Sequence, residues 1–158
     1  MMVWTPNPVG LFRAFTISAV ATLLMVGGCN PHTSDRDIKS ISVADARRLV
    51  TDSKRKPKPD LVLLIDPRSE PEFLAGHIPG ARHLLLSDVT MGRPADRAID
   101  RFSNIIVYGT DPASAPARGM TKRLISSGYD DVYLLDGGLV EWESQGGEVV
   151  RGDRAPQP

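Results

Sequence analysis

The sequence predicts an α/β fold: one domain built on a mostly parallel central sheet with helices on both faces. Three observations carry this expectation. LVLLID, residues 61–66, is a continuous apolar run ending in an acid, the pattern of a strand buried on both faces. IIVY (105–108) and VYLL (132–135) are further short apolar runs rich in β-branched and aromatic residues. The segments between them carry helical spacing and helix caps. Strands that alternate with helices pair in parallel and are covered on both sides.

Taken from the N-terminus, Arg13 precedes AFTISAVATLLMVGG, residues 14–28, which ends on small residues. A basic residue, an apolar run and a small-residue end make a secretory signal. The run falls short of the roughly 20 apolar residues that a membrane span requires. It closes in VGGC, with Val26 three residues before Cys29. This end resembles the lipobox of bacterial lipoproteins, with valine for the usual leucine. The resemblance implies cleavage after Gly28 and lipidation of Cys29. The mature chain would then be held at a membrane of the bacterial cell envelope, outside the cytoplasm. The expected divisions are a lipoprotein signal peptide at 1–28, a polar tether at 29–37, the folded domain at 38–150 and a polar tail, RGDRAPQP, at 151–158.

Within the domain, Ser42 caps a helix whose apolar positions are Ala46, Leu49 and Val50. KRKPKPD, 54–60, is a proline-broken basic loop leading into the second strand, LVLLID. Ser69 and Glu72 form a capping box at the start of the next helix. Pro79-Gly80 is a turn that returns the chain into a short third strand. IIVY is the fourth strand. ARGMTKRLISSG, 117–128, reads as a helix stopped by Gly128. VYLL follows, and after the Gly137-Gly138 turn LVEWESQG is a last short helix.

Composition narrows the function. At 158 residues the chain suits one domain, and its 19 basic and 19 acidic residues leave a formal net charge of zero. No basic stripe marks a nucleic-acid partner. A single cysteine excludes an internal disulfide and a cysteine-rich metal site. His32, His77 and His83 lack ligand spacing, so neither metal nor cofactor is expected.

LIDPRSEPEFLAGHIPGARHL, residues 64–84, closely resembles the rhodanese-like domain. The matching residues are Asp66, Arg68, Glu72, Phe73 and the run Gly76 to Ala81. A second block, GYDDVYLLDGGLVEW, matches the family's closing Gly-Tyr, strand, Gly-Gly and Trp at Gly128, Tyr129, Gly137, Gly138 and Trp142. On physical grounds Asp66 and Arg68 are placed to brace neighbouring loops through charge-assisted hydrogen bonds. His77 is expected to satisfy a backbone group rather than to perform acid–base work.

The resemblance also implies where chemistry would sit. In active members a cysteine follows the strand that IIVY matches, and its thiolate carries sulfur as a persulfide. That position here is Gly109, and the mature domain offers no other thiol. Pro112 and Pro116 lack an N–H, and Asp111 adds negative charge where the family holds an anion. Thr110, Asp111, Ser114 and Arg118 are the residues expected to line any remaining loop site. Asp111 and Ser114 are expected in turn and helix-capping roles, and Arg118 as a possible source of positive charge. The reading is therefore a lipid-anchored, catalytically inactive binding or scaffolding module, with a protein partner at the degenerate loop. Two rivals stand beside it: an enzyme with altered, non-persulfide chemistry at 109–118, and an accessory to a thiol-bearing sulfur-transfer partner.

Overall fold

The computed structural model describes Met1 and residues 33–55, 61–90 and 97–152. The signal segment, Cys29, residues 56–60 of the basic loop and the tail from residue 153 lie outside the described residues. The chain divides into two compact units, Met1–Asn30 and Pro31–Pro158, and the fold is that of the second.

Its strands are β1 (Lys39–Ile41), β2 (Val62–Asp66), β3 (Arg82–His83), β4 (Asn104–Val107) and β5 (Val132–Leu135). Its α-helices are α1 (Val43–Arg55), α2 (Glu70–Ala75), α3 (Arg97–Asp100), α4 (Ala115–Ser126) and α5 (Gly138–Ser144). The sheet runs in the order β1-β5-β4-β2-β3, and every pairing is parallel. One antiparallel bridge, His77 to Val150, lies outside it. Parallel pairing aligns all the carboxyl ends on one edge, so the segments after Asp66, Val107 and Leu135 gather there.

The continuous apolar runs are explained by a core on each face. Successive strand residues point to opposite sides. Leu64, Ile106, Tyr108 and Leu135 pack with Val43 and Ala46 of α1, Phe73 of α2 and Trp142 of α5. Leu63, Ile65, Ile105 and Val107 pack on the other face with Ala117, Met120 and Leu124 of α4. Ile65, Ile106 and Val107 are fully buried. Each contributes about 1.5–3 kcal/mol by leaving water.

The expected caps are present. Ser42 Oγ accepts the Asp45 N–H at 3.1 Å and donates to the Asp45 carboxylate at 2.8 Å. Ser69 and Glu72 form the reciprocal box at α2. Gly128, at φ +92°, follows the C-cap of α4. The fourth strand begins one residue earlier than IIVY and ends at Val107, although the Tyr108 N–H still donates to Ile65 O at 3.1 Å. α3 and a 3-10 turn at Leu86–Asp88 had no sequence signature, because each is too short to show a period.

Part of the segment read as a free tether is docked. Asp35–Asp37 form a 3-10 helix capped by Ser34. Asp35 lies 3.0 Å from Lys122 Nζ and 3.7 Å from Arg118 Nη2, both on α4. Thr33 Oγ1 meets Ser126 Oγ at 2.5 Å. Polar composition suggested a linker, but it also suits ion pairing with the basic outer face of α4. A hydrogen bond from Lys122, then its charge, holds the Asp35 carboxyl below its ordinary pKa of 3.8. A carboxylate depressed in the fold stabilises above its unfolded pKa and loses that contribution as pH falls through its folded pKa. Acidification below pH 3.8, through the lowered folded pKa, should therefore release residues 33–37 from α4. Amide chemical shifts followed against pH check this, and Asp35→Asn should reproduce the release at neutral pH.

Candidate functional site

At the carboxyl edge, β2 ends in Asp66, which is fully buried. Two residues on, Arg68 turns back onto it. Arg68 Nε donates to Asp66 Oδ1 at 2.9 Å and Nη2 to Oδ2 at 2.6 Å. The Arg68 backbone N–H also donates to Oδ1, at 3.0 Å. Nη2 reaches the Gly76 carbonyl at 2.7 Å, tying the end of α2 to the sheet. Burial pulls the guanidinium pKa down, but the hydrogen bonds and charge of Asp66 outweigh this and raise it. The expected bracing pair is thus a buried, bidentate one.

The residues around it complete a polar frame. His77 is buried, donates from Nδ1 to Phe73 O at 2.9 Å and stacks on the Phe73 ring at 3.8 Å. Its Nδ1 is thus engaged with a backbone group. His83 Nε2 donates to Arg68 O at 2.8 Å. The Tyr108 hydroxyl accepts the Ile78 N–H at 3.2 Å, and burial, then the Asp66 charge, pushes its pKa up. Tyr108 therefore stays neutral. Sequence reasoning passed over Tyr108 as one more strand residue; the signal was a polar tip at the end of an apolar run.

Gly109 is buried two residues beyond Val107, the last residue of β4. A Cβ at this position would fall on the Cβ and Oγ of Ser114, with Ala117 Cβ at 3.2 Å. Ser114 thus fills the space that a side chain at 109 would need. It sits at the N-cap of α4, but its hydroxyl makes no capping hydrogen bond. Pro116 occupies the first turn of α4, where the missing N–H costs no helical bond.

Asp111 takes the turn role expected of it: Oδ1 accepts the Ala113 N–H at 2.8 Å, and its carbonyl accepts the Ser114 N–H at 3.2 Å. The Gly109 and Thr110 carbonyls accept the Leu139 and Val140 N–H groups of α5 at 2.8 and 3.1 Å. That docking requires Gly138, at φ +62°, where a Cβ would lie 2.8 Å from Asp111 N, Gly109 O and Thr110 O. Gly137, at φ +77°, is the preceding turn residue. Trp142, on the same helix, donates from Nε1 to Glu148 O at 2.9 Å and closes the C-terminal turn. Arg118 is not a loop residue: it points along α4 to Asp35, so the expectation that it restores positive charge to the loop fails.

A cleft of about 250 Å³ opens beside the loop, between Thr110, Glu72 of α2, Glu143 and Leu139 of α5, and Val149 and Arg151 of the C-terminal segment. Arg68 also lines it. Glu72 is held in its capping box by Ser69, whose hydrogen bonds keep the Glu72 carboxyl below its ordinary pKa. Arg151 Nη2 pairs with Glu143 Oε1 at 3.0 Å. The sequence had assigned Arg151 to the tail; the bridge to His77 and the Gly152 N–H donated to Leu74 O at 2.8 Å draw it against the domain. Among the described residues no group of three or more histidines, cysteines and carboxylates could hold a metal.

Comparison with known proteins locates this frame. The family pattern described as Rhodanese-like domain matches residues 45–145. A thiosulfate sulfurtransferase GlpE of Pseudomonas fluorescens is 38% identical over 87 residues, covering 52% of this chain and 71% of that protein. The GlpE of Pseudoalteromonas translucida is 30% identical over 112 residues, covering 71% of this chain and 95% of that one. Among solved structures, a thiosulfate sulfurtransferase from Pseudomonas aeruginosa superposes with a TM-score of 0.58 at 31% identity, covering 72% of this chain and 20% of that chain.

Removing the guanidinium while keeping its bulk tests the frame. Arg68→Met leaves the Asp66 carboxylate buried and unpaired, which should cost about 3–5 kcal/mol of stability. Urea denaturation at pH 7 reads this directly; a loss under about 1 kcal/mol would show that the pair braces nothing.

Proposed function

The chain belongs to the rhodanese-like domain family, and we propose that it keeps the family's frame without its sulfur chemistry. On this reading it is a catalytically inactive binding or scaffolding module, tethered by lipid at Cys29 to a bacterial envelope membrane. The observation that carries it is the packing of Ser114 onto Gly109. Persulfide transfer needs a thiolate at the end of β4, held by inward-pointing N–H groups. Gly109 supplies no side chain, and the sole cysteine of the chain is Cys29. The space in front of Gly109 is filled from within, and the Ala113 N–H is spent on Asp111.

Altered chemistry has less support. Ser114 is the hydroxyl nearest the former reacting position, and it has no hydrogen-bonded base. Binding is the use the remaining geometry favours, because the cleft beside Thr110 is open while the position before Gly109 is closed. The GlpE relatives, whose names specify thiosulfate sulfurtransfer, support the ancestry of the site. The VGGC end of the apolar segment supports the anchor.

Purified protein should show no thiosulfate:cyanide transfer above a blank. Gly109→Cys alone should also stay at the blank, because the new side chain meets Ser114; turnover at a family-like rate in that variant would overturn the account of the loop. Anchoring is read separately. Mass spectrometry of the membrane-extracted protein should give an N-terminal peptide beginning at Cys29 and carrying acyl chains, and a chain still starting at Met1 would remove the lipoprotein reading.

A further inference from the structure

The cleft beside the loop specifies its ligand more closely than binding alone. Arg68 lines it with a side chain only 6% exposed, oriented by Asp66 and by the Gly76 carbonyl. Those contacts use Nε and Nη2. Nη1 makes no hydrogen bond among the described residues. The two Nη1 N–H donors of this oriented guanidinium are therefore unspent, on a residue that lines the cleft. Its charge is already matched by Asp66, so the donors suit a neutral oxygen better than a second anion.

The rest of the wall sets the other requirements. Leu139 and Val149 give an apolar surface. Glu72 and Glu143 bring two carboxylates; Glu143 pairs with Arg151 across an exposed contact that holds little energy, and Glu72, on which the Arg68 charge also acts, makes no salt bridge among the described residues. With Asp66 and Arg68 cancelling, the balance of the cleft is acidic. An anion such as thiosulfate is disfavoured there, and a cation is favoured.

We propose that this cleft receives an extended segment of a partner protein, with an apolar side chain beside a basic one. A main-chain carbonyl of the segment accepts from Arg68 Nη1. The apolar side chain packs on Leu139 and Val149, and the lysine or arginine lies against Glu72 and Glu143. A cleft open on one side, lined by an oriented arginine, accommodates a peptide main chain more readily than an enclosed small molecule. This assignment rests on the binding-module reading and names the partner chemistry of that site.

Two blocked dipeptides test it by NMR titration of the full chain: N-acetyl-leucyl-lysine amide and N-acetyl-leucyl-glutamate amide. The lysine peptide should give saturable shifts at Leu139 and Val149 and bind at least about tenfold more tightly than the glutamate peptide. Glu72→Gln with Glu143→Gln should reduce that preference to under about threefold, because the carboxylates are its source. Equal binding of the two peptides, or shifts confined to residues 110–114, would overturn the assignment. Binding that appears only after truncation at Gly152 would assign the cleft to the chain's own tail instead. Sulfur transfer measured on the same samples separates the two readings. A chain that turns over thiosulfate yet prefers the lysine peptide loses the inactive reading alone, whereas an inactive chain that binds neither peptide loses only the cleft assignment.

Discussion

Asp66 and Arg68 stand two residues apart at the end of a central strand, fully or almost fully buried, and the site is built around their contact. A buried carboxylate without a partner is costly, so Asp66 holds Arg68 in one position. Arg68 then holds the Gly76 carbonyl at the end of α2, and its own carbonyl receives His83 from β3. Tyr108 lies alongside, with its hydroxyl on the Ile78 amide. One ion pair thus joins β2, α2, the turn before β3 and the end of β4. A frame tied in this way keeps its shape independently of what sits in the loop after β4.

The loop after β4 shows what occupies that address. Its carbonyls at Gly109 and Thr110 face the first N–H groups of α5, and Ser114 packs on Gly109. The loop is satisfied by its own chain and by α5, and an incoming anion would have to displace Asp111 from the Ala113 amide. A cleft opens to one side, against α2, α5 and the C-terminal segment. The cleft therefore lies beside the position after β4 rather than in front of Gly109, where Ser114 fills the space.

Much of this was legible in the residues. LVLLID, VYLL and the Ser42 and Ser69 caps mapped onto elements with shifts of a residue or less, because continuous apolar runs and side-chain caps are local signals. Gly138 was expected to allow close backbone approach, and it meets three backbone atoms of the loop. The failures share a cause. Arg118 was assigned to the loop by its position in the chain, but helical phase turned it to Asp35. Residues 33–37 and Arg151 looked like tether and tail because polar composition does not distinguish free solvation from ion pairing with a distant helix.

The sequence by itself determined the α/β order, the two-sided burial of the strands and the absence of a thiol at the end of β4, since each depends on residue type and local spacing. Only the tertiary structure decided that Ser114 fills the space before Gly109, that the Asp66–Arg68 pair is closed and bidentate, and that a mixed-charge cleft lies between α2, α5 and the C-terminal segment. Those facts join residues from 2 to 83 positions apart, and the geometry that makes them contacts is set by how parallel strands and their crossover helices pack, which no local pattern encodes.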